Sequence, residues 1–308
     1  MLSTEDNIFM IIITGESLIG LLGNGYIGLV NWIDWIKKKK ISSVDYILIG
    51  LAISRICLLC VMVLNGFIVV FYPDVYKDDK LKIVDIFWTL TNYLSMWFAS
   101  CLNVVYFLKI ANFSHPFFLW LKWRIDRMLH WILLVCLTIS LLSGLVLTMI
   151  SNCNSEFFNI AKHKNNFTEL FHVSKIQYFS VLSLFNLLAI VPLTVSLISF
   201  VLLILSLWRH TKQMKLSVTG CRNPSTQAHV GAMKTVTSFL FLLFLYYLAS
   251  LLVTFSYRVK EGKLAVMFGE IIAILYPSGH SLILIIGNNK LRQAAVRMLR
   301  CGKTACVM

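Results

Sequence analysis

Few polar side chains interrupt the long apolar stretches of this chain, and those few are the ones that could take part in binding or catalysis. Asn24 and Arg55 lie inside two such stretches, and Glu270 lies about one to two helical turns inside the last one. Trp88 and Asn92 are four residues apart, so on a helix they share one face. Because a buried polar group needs a hydrogen-bond partner, each of these residues could either tie helices together or bind a small molecule.

The sequence patterns of enzymes are missing. There is no Ser–His–Asp order with its local signatures, no His-Glu-x-x-His and no phosphate-binding loop. Gly23-Asn-Gly25 follows no predicted strand, so we interpret it as a point of close helix packing. Cys57 and Cys60 have a metal-like spacing, but they lie in an apolar stretch where packing is the better interpretation. We therefore predict that the chain is not an enzyme and has no metal site or cofactor.

Composition predicts a membrane protein. The chain is 58% hydrophobic and only 14% charged, with a mean hydropathy of +0.78. Its net charge of +14 lies at the ends of apolar runs, which is typical of membrane loops and argues against a nucleic-acid-binding face. Seven runs are long enough to span a bilayer: 8–32, 46–71, 86–110, 129–150, 179–207, 236–257 and 264–286. The predicted fold is an all-α, seven-transmembrane helix bundle.

We expect this bundle to form one domain over residues 1–308. The segment 1–7 is then a short extracellular N-terminus, 8–287 the bundle and 288–308 a cytosolic tail. This orientation follows from the loops, because those on the side of the C-terminus carry about twice as many Lys and Arg residues as the others. Asn166-Phe-Thr168 is then a usable glycosylation acceptor in the longest outer loop.

Several motifs, taken together, resemble one family over most of the chain, from Gly15 to about Leu299. They are Leu51-Ala-Ile-Ser-Arg55, Phe107-Leu-Lys-Ile-Ala-Asn-Phe-Ser-His-Pro116, Ser206-Leu-Trp-Arg-His-Thr-Lys-Gln213, Tyr276-Pro-Ser-Gly-His-Ser281 and Gly287-Asn-Asn-Lys-Leu-Arg292. The pattern resembles the type 2 bitter taste receptors, a family of G-protein-coupled receptors. It lacks the Asp-Arg-Tyr and Asn-Pro-x-x-Tyr motifs of rhodopsin-like receptors, as that family does.

The resemblance implies a receptor in the plasma membrane that binds small bitter compounds in an outward-facing pocket among spans three, five, six and seven. It assigns Trp88, Asn92 and Glu270 to that pocket. Tyr246 and Tyr247 both lie in the outer half of span six, and the resemblance favours Tyr247 as the pocket residue. The implied partner is a heterotrimeric G protein of the gustducin type.

A second group of residues is cationic and lies at the predicted cytosolic ends of spans three, five and six. The group could bind anionic lipid headgroups, or it could contact the G protein, as the resemblance implies. Its members are Lys109, His115, Arg209, His210, His229 and Lys234. For Arg55 we expect a structural role, with Asn24 and neighbouring backbone carbonyls as its acceptors. Cys301 and Cys306 are candidates for palmitoylation.

Two other functions compete with a bitter receptor. A transporter or channel would also need many spans, but the odd number of spans, the lack of a repeat and the lack of a midplane chain of carboxylates disfavour it. A receptor for another chemosensory ligand, such as a pheromone, would have the same fold, and the sequence does not separate it from a bitter receptor.

Overall fold

The computed structural model describes residues 3–39, 42–71, 82–111, 113–163, 167–217, 224–256 and 262–305. Over these ranges the regular structure is entirely helical. The helices are α1 (Thr4–Lys38), α2 (Ser43–Phe71), α3 (Lys82–Ile110), α4 (Pro116–His163), α5 (Phe167–Ser217), α6 (Pro224–Ser256), α7 (Gly262–Gly287) and α8 (Asn289–Ala305).

Local signals set the ends of α1. Ser3 Oγ accepts a hydrogen bond from the backbone N–H of Asp6 over 3.1 Å, and the Asp6 carboxylate accepts one from Ser3, which forms a capping box. At the other end Lys39 adopts a left-handed conformation with φ of 50°, and its N–H donates to the carbonyl of Trp35. These caps extend α1 beyond both ends of the predicted span 8–32.

Helices α1 to α7 are each long and apolar enough to cross a membrane. Their outer surfaces carry large exposed apolar side chains, such as Trp131, Phe241 and Leu252, which would be unfavourable in water and are favourable in lipid. The predicted all-α fold with seven spans is confirmed. The segment predicted as a tail contains α8, which Asn288 caps by accepting from the backbone N–H of Lys290 over 2.9 Å.

Two polar contacts identify the ends of the bundle. Asn65, near the end of α2, donates to Glu270, near the start of α7, over 3.2 Å. Beyond the other end of α7, Lys290 contacts Asp45 at the start of α2 over 3.0 Å. We call the first the N-terminal end, because α1 begins there, and the second the α8 end.

The helices close into a bundle in which α1 packs against α2 and α7, and α3 packs against α2, α4 and α5. Gly20 allows the close approach of α1 and α7, because a Cβ atom at this position would lie 2.2 Å from Ser278 Oγ. Of the glycines that we expected at a close contact, Gly23 faces Ser281 at an ordinary 3.5 Å and Gly25 has no atom within 4 Å of a built Cβ. The tight contact therefore lies one turn earlier than expected.

Candidate functional site

An aromatic layer joins α3 and α5 in the half of the bundle nearer the N-terminal end. The half-buried Trp88 ring lies 4.9 Å from the ring of Phe185, centroid to centroid. Phe185 also contacts the ring of Tyr93, whose hydroxyl donates to the Phe185 carbonyl over 2.9 Å. Since Tyr93 and Phe185 are each about 1% exposed, this layer forms a fixed wall beside the more accessible Trp88.

Asn92 lies one turn below Trp88 on α3 and is 2% exposed. Its Nδ2 donates to the hydroxyl of Tyr246 on α6 over 2.5 Å, while its Oδ1 has no hydrogen-bond partner in the described part of the chain. A buried acceptor without a donor loses free energy relative to water. Asn92 is therefore poised to accept a hydrogen bond from a group that enters between α3 and α6.

The two neighbouring tyrosines of α6 have different environments. Tyr246 is 5% exposed, bonds to Asn92 and lies 5.2 Å from the ring of Tyr276 on α7. Tyr247 is half-buried, and its hydroxyl donates to the carbonyl of Asn186 on α5 over 3.4 Å. Tyr246 is thus the side chain that turns toward the centre of the bundle.

Asn186 is a buried polar residue that the sequence analysis did not select. Its Nδ2 donates to the carbonyl of Leu182 over 2.9 Å and to Thr254 Oγ1 over 2.8 Å, while Thr254 Oγ1 itself donates to the carbonyl of Ser250. Both partners can only accept here, so the amide group of Asn186 must present its NH2 to them, and this fixes its orientation. Its Oδ1 is then the atom that has no partner in the described part of the chain. Its position in an apolar run is the same sequence signal that selected Asn92.

Carboxylates lie near the N-terminal end of the bundle. Glu270 on α7 is half-buried, and its Oε1 accepts from Asn65 on α2. Glu16 on α1 is also half-buried, and its Oε2 has no partner among the residues that the structure describes. These two carboxyl groups lie on the α1, α2 and α7 side of the bundle, whereas the aromatic layer lies on the α3, α5 and α6 side.

A polar network crosses the middle of the bundle. The fully buried Arg55 donates to Ser95 Oγ over 3.3 Å and to Ser281 Oγ over 3.5 Å, and its Nη2 lies 2.5 Å from His280 Nδ1. Asn24, also fully buried, accepts from Ser281 over 2.7 Å and donates to the carbonyl of Gly20. Arg55 and Asn24 therefore meet through Ser281, and the acceptors of Arg55 are side chains of α3 and α7.

The predicted cationic group is only partly described. Three of its members, Lys109, His115 and Arg209, are exposed. Lys109 lies 3.9 Å from Asp126, and Nδ1 of His115 accepts a hydrogen bond from the backbone N–H of Phe117. His210 belongs to α5 and His229 and Lys234 to α6, but their side chains lie outside the described part of the structure. Asn166 lies outside the described residues, as does Cys306, and of Cys301 only its place in α8 is described.

Lys290 joins three helices at the α8 end, a role that the sequence analysis did not predict. Its Nζ lies 3.0 Å from both Asp34 on α1 and Asp45 on α2, and it donates to Asn31 Oδ1 over 2.8 Å. Tyr26 adds a second tie, because its hydroxyl donates to the carbonyl of Leu291 over 2.8 Å. The junction of α7 and α8 is therefore fixed to α1 and α2.

A small, partly open cavity of about 100 Å³, lined mainly by apolar side chains, lies between α3, α4 and α5, away from the Trp88 and Asn92 layer. Cys101 and Cys136 line it, and their Sγ atoms lie 3.8 Å apart as free thiols. Its lining offers no charged group, so its chemistry differs from that of the aromatic and polar layer above.

Comparison with known proteins decides the family. The model of the family described as taste receptor protein (TAS2R) matches residues 1–303. The chain belongs to this family. It is 65% identical over 309 residues to taste receptor type 2 member 8 of Homo sapiens and 66% identical over 308 residues to that of Papio hamadryas, in each case over the full length of both chains. It is also 57% identical over 288 residues to taste receptor type 2 member 7 of Papio hamadryas, which covers 92% of this chain and 90% of the relative.

The family assignment confirms the resemblance to bitter taste receptors. The seven-helix bundle agrees with a G-protein-coupled receptor and with a multi-pass protein of the plasma membrane. The family is one of receptors and not of enzymes. The polar and aromatic residues described above are therefore best considered as parts of a receptor.

Proposed function

We propose that this taste receptor binds small bitter compounds in a pocket that opens at the N-terminal end of the bundle and then activates a gustducin-type G protein. The observation that carries the proposal is the buried Oδ1 of Asn92, which has no hydrogen-bond partner among the described residues and lies close to the aromatic contact of Trp88 with Phe185. An apolar wall next to a few fixed polar atoms is typical of small-molecule sites. A compound stacked on Trp88 would fall within reach of an acceptor that lacks a donor.

Glu270 and Tyr247 complete the proposed pocket. Glu270 is held by Asn65 and offers a carboxylate toward the N-terminal end, which favours compounds that carry a positive charge or a hydrogen-bond donor. Tyr247 is half-buried between α5 and α6 and offers an aromatic face beside Asn186. Tyr246 is a further residue of the proposed pocket, because it bonds to Asn92, although the family resemblance favours Tyr247.

The proposal requires the N-terminal end to face outward and the α8 end to face the cytosol. The excess of Lys and Arg in the loops of the α8 end supports this orientation. Glycosylation of Asn166 and a single domain over residues 1–308 belong to the same proposal. A compound then reaches Trp88 from outside the cell, on the opposite side from the G protein.

The cationic group at the α8 end is the proposed contact of the G protein. Lys109, His115 and Arg209 are exposed there, and α5 and α6 carry His210, His229 and Lys234 to the same end. Binding of agonist shifts the receptor to an active form only if that form binds the agonist more tightly. The Asn92–Tyr246 bond between α3 and α6 is a contact through which such a difference would act. Anionic lipid headgroups are further partners of the same cations.

Intracellular calcium in cells that co-express the chain with a promiscuous G protein carrying a gustducin tail tests the pocket. A panel of bitter compounds is applied to the wild type and to the variant Trp88→Ala. We expect the variant to need about ten-fold or more agonist, since it loses a large aromatic contact of the kind that dominates binding energy.

Trp131→Ala is the matched control, because Trp131 is 71% exposed on the outside of α4. Surface amounts of all three proteins are measured by antibody labelling of intact cells. Equal responses of the wild type and Trp88→Ala at equal surface amounts would remove Trp88 from the site. An equal loss in Trp131→Ala would show that the assay reports protein quality and not binding.

A further inference from the structure

Arg55 is a cation enclosed in the middle of the bundle. It lies on α2, is 0% exposed, and its guanidinium contacts Ser95, Ser281 and His280. All three partners are formally uncharged in this arrangement. Arginine only donates hydrogen bonds, so His280 Nδ1 must accept with its lone pair, which excludes a proton on that nitrogen.

Within the described part of the chain, no carboxylate contacts this guanidinium. Asp45 lies ten residues before Arg55 on α2, or about 15 Å away along the helix axis. Glu270 is bonded to Asn65, which lies ten residues after Arg55 and so about 15 Å away in the opposite direction. Asp45 is already paired with Lys290. Hydroxyl and imidazole partners satisfy hydrogen bonds but do not neutralise the charge, and an uncompensated charge in a membrane interior is unfavourable.

A second, independent observation concerns Tyr276. Its ring centroid lies 5.6 Å from Cζ of Arg55, and the residue is 1% exposed. Its hydroxyl faces the Arg55 guanidinium, which can only donate, and it has no hydrogen-bond acceptor among the described residues. A buried O–H donor without an acceptor is unfavourable for the same reason as an unpaired charge, although by less. One acceptor with a negative charge would satisfy both groups.

We propose that Arg55 and Tyr276 hold a small monovalent anion of the halide type, with chloride as the physiological ion, inside the bundle of this receptor. One negative charge balances one guanidinium, whereas a divalent anion would leave an excess charge in the membrane interior. Side chains of α2, α3, α6 and α7 surround the two groups, and this enclosure favours a spherical ion over a bulky organic carboxylate. The bound ion would tie α7 to α2 and stabilise the described arrangement of the network.

Thermal unfolding of the purified full-length receptor in detergent tests this site without an agonist. Sodium chloride replaces sodium gluconate stepwise at constant ionic strength, so that screening stays the same. An ion that binds the folded state raises the unfolding temperature with a saturating dependence on its concentration. We expect such a rise with chloride and with bromide, and none with gluconate, which is too large for the site.

Tyr276→Phe keeps the ring and removes the hydroxyl, and we expect it to raise the chloride concentration of half-maximal effect by about ten-fold. Tyr46→Phe is the matched control, because Tyr46 lies exposed at the α8 end of α2, where it contacts His130 and belongs to neither proposed site. It should respond to chloride as the wild type does. Arg55→Gln should lose the chloride response, and Tyr276→Phe carries the test if that variant does not fold. An unfolding temperature of the wild type that is independent of chloride would overturn the proposal. So would a chloride response that Tyr276→Phe leaves unchanged, since the ion would then bind elsewhere.

Discussion

Asn92 on α3 donates a hydrogen bond to the hydroxyl of Tyr246 on α6 over 2.5 Å, and both side chains are buried. This bond links the helix that carries Trp88 to the helix that leads toward the proposed G-protein contact. The hydroxyl of the next residue, Tyr247, makes only a longer bond to a backbone carbonyl and is half-buried. The two tyrosines therefore offer a matched pair of variants.

We expect Tyr246→Phe to lower the free energy of unfolding by about 1–3 kcal/mol, because the substitution leaves the amide of Asn92 without any described partner. Tyr247→Phe should cost about 1 kcal/mol or less, since its bond is longer and partly exposed. Thermal unfolding of both purified variants gives the comparison. An equal loss of stability in the two variants would show that the Asn92–Tyr246 hydrogen bond contributes no more to the free energy of unfolding than the bond of Tyr247 does.

The fixed amide of Asn186 predicts a chemical preference among agonists. Because its Oδ1 accepts no hydrogen bond from the described part of the chain, agonists with an O–H or N–H group that reaches α5 should lose potency in Asn186→Leu. Pairs of agonists that differ by methylation of one hydroxyl provide the measurement in the calcium assay. Methylation should lower potency in the wild type and have little effect in the variant, and the same methylation effect in both proteins would rule out the contact.

Gly20 and Gly25 test the packing of α1. A Cβ at Gly20 would lie 2.2 Å from Ser278 Oγ and 2.7 Å from Leu59 Cδ1, so Gly20→Ala must displace a neighbour and should destabilise the receptor by about 1–3 kcal/mol. Gly25→Ala meets no atom within 4 Å and should be neutral, or stabilising by up to about 1 kcal/mol through helix propensity. Surface amount and unfolding temperature report both effects. Similar behaviour of the two variants would contradict the close α1–α7 contact.

Lys290 tests the tie between α8 and the bundle. Lys290→Met leaves Asp34 and Asp45 facing each other without their shared cation, so we expect a loss of about 1–3 kcal/mol in unfolding free energy. Lys290→Arg keeps the charge and should retain most of the stability. Lys38→Met is the control, because Lys38 contacts the same Asp34 but is 69% exposed, and such pairs contribute little. A loss in Lys38→Met as large as in Lys290→Met would assign the effect to surface charge alone.

The spans could be predicted because each is a long apolar run whose length the bilayer dictates. Helix α8 could not be predicted in this way, because it is amphipathic and too polar to span a membrane. In sequence, its Lys and Arg residues look the same as those of a basic cytosolic loop. The role of Lys290 was equally hidden, because its partners Asn31 and Asp45 are 259 and 245 residues away in sequence. Local pattern carries no information about such pairs.

The candidate site was predictable only in part. Trp88, Asn92 and Arg55 stand out as polar or aromatic groups in apolar helices, and Asn186 gives the same signal and was missed. The choice between Tyr246 and Tyr247 needs the rotation of α6, which a helix apolar on all sides does not reveal. The structure supplies this rotation through the bond of Tyr246 to Asn92.

The most direct test of the central claim measures agonist-evoked calcium release in cells from which the endogenous G-protein α subunits have been deleted. The receptor is expressed with and without a G protein carrying a gustducin tail, and its surface amount is matched in both. We predict a response to bitter compounds only when that G protein is present, because a receptor of this kind acts through its G protein. A response of the same size without any G protein would contradict the account and would favour a channel or transporter.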